Sequence, residues 1–320
     1  MRIYRLMTAI FGLLLVAGGV HAQQNYPTKP IRLIVPFPPG GSLDTVARML
    51  AQKLGETFQQ TIVVDNRPGS GAIGAESVVR ANPDGHTMML VSAAYAANAA
   101  LSKLSYDPVN DVAPIILIGD TGSIVTVHPS LPVTSIKELI SYDNANPRKL
   151  NYGSGGTGST SHLSAELFNQ MAGTKMTHVP YKGGVPALND LFGGQIQLIV
   201  GALPLIVPQI KSNRLRGIAV TTAKRSHAVP DIPTVAETVS GYEVVGWYGV
   251  LGPKALPKAI TARWNSEINR ILQLSDVKAR LAGDGMEPAG GSPERVREVL
   301  TRDVAKWQNL VKLAGIKAGS

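Results

Sequence analysis

Two glycine-rich turns hold the residues best suited to capturing an anion. The first lies within "VPFPPGGSLDTVAR", residues 35–48. Pro36, Pro38 and Pro39 fix φ and withdraw N–H donors, so an apolar run ends in a stiff turn. Phe37 sits among them. Gly40 and Gly41 permit positive φ and bring bare amides to the start of a helix. Ser42 can cap that helix, and Asp44 falls in its first turn, where a carboxylate complements the dipole. The second turn lies within "YGSGGTGSTSHLSAELF", residues 152–168. There Ser154, Gly156, Thr157, Gly158 and Ser159 lead into another amphipathic helix, with Ser159 and Thr160 as N-cap residues. Each turn, taken alone, is also what an ordinary well-capped helix requires. Facing one another, two such N-termini would form a clamp of backbone amides that binds an anion without an arginine.

Other chemistries are poorly served. "GSGAIG" (69–74) and "GSGGTG" (153–158) both fit G-x-G-x-x-G. A dinucleotide fingerprint follows the first strand directly and has an acid about 20 residues further on. The first segment follows the second strand instead, and neither has that acid. The nucleophile elbow G-x-S-x-G does not occur, and "GGSLD" (40–44) lacks its second glycine. His162 stands near Ser159, but in the first turn of a helix it reads as a capping or packing residue. The chain has no cysteine, and its six histidines are scattered without the i, i+4 spacing of a zinc site. No cofactor, no metal and no enzymatic activity are expected.

Around the two turns, strand-like runs alternate with helical patterns. Residues 31–35, 61–66 and 86–92 read as strands, separated by helices over 43–58 and 73–80. Leu43, Val46, Ala47, Leu50, Leu54 and Phe58 share one face of the first helix. This succession predicts a parallel sheet covered on both faces. After an extended run at 113–129 the alternation restarts. Strands at 149–154, 195–202 and 215–222 are interleaved with helices near 161–171, 186–192 and 205–211. A second extended run at 243–253 precedes helices near 257–273 and 293–312. The pattern predicts an α/β protein of two lobes joined by two crossover strands. Lobe 1 comprises 23–122 and 247–320, and lobe 2 comprises 123–246. Ligands in such sheets sit at strand carboxyl ends, here a cleft between the lobes.

The N-terminus reads as an export signal over residues 1–22. Arg2 and Arg5 precede an apolar stretch at 7–20, and "VHA" offers a cleavage site. Removing those two arginines takes the net charge from +9 to +7. The excess is spread along the chain, which argues against a nucleic-acid partner. It suits a small anionic ligand, an anionic membrane surface, or simple solubility. An exported chain without cysteine must rely on its core rather than on disulfides.

Taken in order, "YPTKPIRLIVPFPPGGSLDTVARMLAQKL", "VVDNRPGSGAIGAESVVRANPDGHTMML", "YGSGGTGSTSHLSAELF" and "HVPYKGGVPALNDLFGGQIQLIV" resemble the Bug family. These are extracytoplasmic solute receptors of tripartite tricarboxylate transporters. The likeness runs on through "DIPTVAE" (231–237) and "WQNLVKLAGIK" (307–317). It implies a type 2 periplasmic binding protein fold whose lobes close on a small carboxylate. The matching loops are 37–44 and 154–159, one per lobe, holding a carboxylate through amides and ordered waters. Ser42 and Leu43 depart from the family's commoner glycine or polar residues. Ser92 at a strand end and Tyr181 in "VPYKGG" are expected at the cleft, and Tyr181 is equally a core tyrosine. Asp44 either meets a ligand ammonium or caps its helix, and Trp247 and Tyr248 are expected as hinge packing. The implied protein is a periplasmic monomer that hands its carboxylate to inner-membrane transporter subunits. An exported sensor using the same cleft, or an exported carboxylate-processing enzyme, are the alternatives.

Overall fold

Strand β1 (Ile31–Val35) is buried at every position but Arg32, because a parallel strand covered on both faces must be apolar almost throughout. The structure is a computed structural model that describes residues 26–37, 39–40, 42–67, 72–283 and 285–316. The export signal read at 1–22 lies outside them. After β1 come α1 (Ser42–Phe58), β2 (Ile62–Asn66), α2 (Ala72–Val79), β3 (Thr87–Ser92), α3 (Ala94–Leu101) and β4 (Val112–Thr121). Then follow β5 (Ser123–Val127), α4 (Ile136–Ala145), β6 (Asn151–Ser154), α5 (Thr160–Ala172), β7 (Thr177–Pro180), α6 (Gly184–Phe192), β8 (Leu198–Ala202), α7 (Leu203–Lys211) and β9 (Arg216–Val220). The chain closes with β10 (Gly246–Pro253), α8 (Lys258–Ile271), α9 (Ser275–Gly283), β11 (Met286–Gly290) and α10 (Pro293–Ala314).

These strands form a mixed α/β fold of two sheets, ordered β11-β4-β10-β3-β1-β2 and β7-β6-β8-β5-β9. β1 pairs in parallel with β2 and β3, as the βαβ alternation predicts. The extended run at 113–129 is two strands rather than one. It breaks at Gly122, and β4 pairs in the first sheet while β5 pairs in the second. Helices α3, α4 and α9 and strand β11 were not foreseen. α3 reads "AYAANAAL" and has no polar face to give a helical period, although it buries Tyr95, Ala96 and Ala97.

Three apolar clusters hold the sheets. One, around Leu50, Leu54 and Trp264, packs α1 and α8 on the first sheet. A second, around Leu191 and Ile206, packs α6 and α7 on the other. The third is shared: Ile34 and Met89 of the first sheet join Val125 and Leu198 of the second. Helix α10 feeds that shared cluster through Val296, Leu300, Val304, Trp307 and Leu310, and it packs on α3, β4 and α5. Its buried Asp303 accepts from Trp247 Nε1 at 2.7 Å, tying α10 to β10.

Where the chain passes between sheets, β10 and β4 run antiparallel, with Gly246 opposite Thr121. Thr221 stitches the two passages together. Its Oγ1 accepts from Ser123 N at 3.0 Å and donates to Val244 O at 2.8 Å, and the residue is fully buried. Replacing that hydroxyl by a methyl strands a donor and an acceptor in the interior. Thr221→Val is therefore expected to cost about 1–3 kcal/mol in urea unfolding. A midpoint equal to wild type would show that the stitch carries no stability.

Candidate functional site

Strands β1, β3, β6 and β8 deliver their carboxyl ends to one place. There the two sheets enclose a cavity of about 660 Å³, within the range of small-molecule sites. The first turns of five helices reach it. α1 contributes Leu43 and Asp44, α3 Ala94, and α5 Thr160 and Ser161. α6 contributes Gly184, and α7 opens from Ala202. Each N-terminus carries the positive end of its dipole and amides without an intrahelical acceptor. Among the described residues that line the cavity there is no lysine, arginine or histidine, and Asp44 is the one formal charge.

Phe37, Asp44, Ser92, Ser154, Thr157, Gly158 and Ser159 all line this cavity, although they come from three different turns. Gly40, Gly156 and Tyr181 are not brought to it. Gly41 lies outside the described residues, and Ser42 is placed only as the first residue of α1. Tyr181 donates to Asp190 Oδ2 at 2.6 Å, and burial, with the Asp190 hydrogen bond, pushes its hydroxyl up to about 12.

The expectation of bare glycine amides needs correction. Gly40 N donates to Asp44 Oδ2 at 3.0 Å, and Gly155 N to Ser161 Oγ at 3.0 Å. Gly156 N donates to Ser154 Oγ at 3.1 Å, and Gly158 N to His162 Nδ1 at 3.1 Å. Polar backbone in a tight turn finds a partner nearby, and here the serines and the histidine of the same turn supply it. Ser159 accepts from His162 N at 3.3 Å, capping α5. The first two helical amides, those of Thr160 and Ser161, have no acceptor in their own helix and are left for a ligand.

Asp44 has two roles on one carboxylate. Oδ2 accepts from Gly40 N and from Arg48 Nε at 2.9 Å, which latches the first turn onto α1. The Arg48 hydrogen bond, aided by the Gly40 amide, holds the group below the ordinary carboxylate range. Oδ1 is buried with no protein partner among the described residues.

The cavity also recruits residues that sequence reasoning missed. Asn98 belongs to the unforeseen helix α3, and Ser123 sits at the unforeseen break between β4 and β5. Tyr248, read as hinge packing, pairs with Ser92 across β10 and β3 and so reaches the lining. Leu205, Ile199 and Val200 form an apolar wall.

The family described as "Tripartite tricarboxylate transporter family receptor" matches residues 46–316. Rpa4515 of R. palustris, solved with adipate, is 39% identical, covers 91% of this chain and 99% of its own, and superposes with a TM-score of 0.81. The periplasmic binding protein BugD is 33% identical over 91% of this chain and 99% of its own, with a TM-score of 0.79. MatC from Rhodopseudomonas palustris, solved with bound malate, is 30% identical over 89% of this chain and all of its own, with a TM-score of 0.79.

Gly158 is the tightest point of the second turn. Its φ is +81°, and a Cβ there would lie 2.3 Å from Leu101 Cδ1 of α3. Gly173 has a similar φ of +70° with open space around it. Gly173→Ala should show backbone strain alone, whereas Gly158→Ala should lose about 1–3 kcal/mol more in urea unfolding. Equal losses would mean that Leu101 gives way without cost.

Proposed function

The chain belongs to the tripartite tricarboxylate transporter receptor family, and we propose that it captures a small organic carboxylate in this cavity and delivers it to an inner-membrane transporter of that type. The observation that carries the proposal is the convergence of five helix N-termini on a cavity whose lining has no basic side chain among the described residues. Such a site favours an anion through fixed dipoles. A first-turn dipole contributes about 0.3–1 kcal/mol, and a hydrogen bond to a charged group about 1.5–3. Relatives solved with adipate and with malate support a carboxylate in particular.

In this reading Thr160 N, Ser161 N and the Ser92 hydroxyl hold the carboxylate, while Ser154 and Ser159, whose hydroxyls are engaged within the turn, fix its shape. Thr157 and Gly158 shape the second turn around it, and Gly156 and Tyr181 brace that turn from behind. Phe37, Leu43, Leu205 and Tyr248 pack on the ligand's carbon skeleton. Gly40 sets the first turn, with Asp44 as its latch, and Gly41 and Ser42 are included in the site on their sequence positions alone. Asp44 Oδ1 is buried without a protein partner among the described residues, and a ligand hydroxyl or ammonium that reached it would satisfy it. The segments 23–122 with 247–320, and 123–246, act as lobes that close about the paired crossovers. Closure is stabilised by ligand contacts available only when both sheets meet. The protein binds without chemical change to its ligand and works in the periplasm as a monomer, exported by the signal at 1–22.

Calorimetry and thermal shift with adipate, malate, citrate, aspartate and benzoate test the reading. A true ligand at 100–1,000 times its Kd should stabilise the protein by about 2.7–4.1 kcal/mol. Turnover of one acid, with no binding isotherm for any, would sink the receptor reading. Thr160→Pro tests the amides directly. Proline is well tolerated at the first helical position, and Ser159 already has the extended backbone (φ −65°, ψ 156°) that precedes proline comfortably. The variant should keep its melting temperature within about 2 °C yet bind at least about tenfold more weakly, the loss of one hydrogen bond. Undiminished affinity would remove α5 from the clamp.

A further inference from the structure

Two histidines lie directly behind the second ligand turn. His162, in the first turn of α5, is buried, and its ring stacks on that of His178 of β7 with centroids 3.8 Å apart and planes 19° apart. Tyr152 of β6 lies beside the pair, its ring 5.0 Å from that of His178 and 6.4 Å from that of His162. Each imidazole holds one end of the turn. His162 Nδ1 accepts from Gly158 N at 3.1 Å, and His178 Nε2 lies 2.6 Å from Ser154 Oγ. An Nδ1 that accepts carries no proton, so the His162 ring is neutral with its hydrogen on Nε2.

We propose that His162 and His178 are positioning residues for the carboxylate-binding turn: the neutral stack fixes Gly158 and Ser154, thereby aiming Thr160 and Ser161 at the cavity, and protonation of His162 releases them. This rests on the carboxylate-receptor reading of the cavity. The two rings differ in what a proton does. At His178 a proton on Nε2 simply makes it the donor to Ser154 Oγ, whose own hydrogen can turn to Gly156 O at 3.2 Å. At His162 a proton on Nδ1 sets two donors head to head and breaks the Gly158 bond.

The groups facing His162 do little to ease that charge. From β7 comes His178, from β6 Tyr152, and from its own helix Glu166, which is engaged with the Tyr152 hydroxyl. β8 has no titratable residue. The titratable group of α3, Tyr95, donates to Pro108 O, and Asp303 of α10 is taken by Trp247 and Arg302. Burial, and then the neighbouring His178, hold His162 down at about 4, and burial holds His178 there as well. A depressed imidazole stabilises the folded turn above its ordinary value of 6.5. That stabilisation is lost as pH falls from there through about 4.

Nuclear magnetic resonance of the ligand-free protein tests the coupling first. The Gly158 amide shift should move with the His162 ring nitrogens, with a midpoint of about 4. A His162 ring titrating near 6.5 with a static Gly158 amide would overturn the proposal. Adipate binding then separates positioning from bulk packing. His162→Phe keeps a flat ring but no acceptor and should bind at least about tenfold more weakly; His162→Asn restores an acceptor and should recover to within about threefold. Wild-type affinity should fall more steeply between pH 6.5 and 4 than that of His162→Asn, which shares the ligand's own titration. Equal slopes, or full affinity in His162→Phe, would count against the histidines. Adipate failing to bind wild-type protein would count against that ligand alone, and the amide titration still decides the histidine proposal.

Discussion

Helix N-termini gathered from both sheets, with the positive ends of their dipoles, set the terms for everything around the cavity. Helices α1, α3, α5, α6 and α7 all begin there. A helix begins at the carboxyl end of the strand before it, so parallel βα units place their N-termini together at the same edge of the sheet. No long charged side chain is needed to supply the positive potential, and none has to be ordered when a ligand arrives. Fixed dipoles have another consequence. They are spread over several turns, so an anion is attracted to a region, and individual amides then decide where it settles.

The shared core explains how two sheets present one edge. Ile34, Met89, Val125 and Leu198 belong to one cluster, and α10 leans on elements from both sides of it. Between the sheets the chain passes only through the stretches around Gly122 and Val245, and Thr221 bonds to both. The apolar cluster is non-directional and tolerates small shear, whereas the Thr221 bonds are directional. A closing motion of the kind proposed would flex these passages, with each private core, around Trp264 or around Ile206, moving as a unit.

Much of this was visible in the chain. The amphipathic face of residues 43–58 and the apolar run at 31–35 correspond to α1 and β1 almost residue for residue. The two turns that line the cavity stand out by their glycines and prolines. What stayed hidden was hidden for physical reasons. Helix α3 is an alanine-rich segment packed on several sides, so its helicity has no periodic signature, and Asn98 went unseen with it. The division of 113–129 between β4 and β5 depends on strand partners far away in sequence. Tyr248 reaches the cavity through a cross-strand pairing with Ser92, which a linear pattern cannot display.

The instructive difference lies in the glycines themselves. Reading them as bare amides took the turn in isolation, where a missing side chain exposes its backbone. In the folded turn, Gly155, Gly156 and Gly158 are each met by a serine or histidine within a few residues. Their conformational freedom serves to build the turn, and their donors are spent on holding its shape. The amides that remain include those of Thr160 and Ser161, the first two residues of α5. Geometry makes them available: they sit too early in α5 to find an acceptor in their own helix, and the side chains of the turn are already engaged with the glycines. A turn satisfied in this way has its shape before a ligand arrives, so binding need not order it. Recognition of a carboxylate would then be common to any chain with this turn. Preference among carboxylates would fall to Phe37, Leu43, Leu205, Tyr248 and the unpartnered oxygen of Asp44.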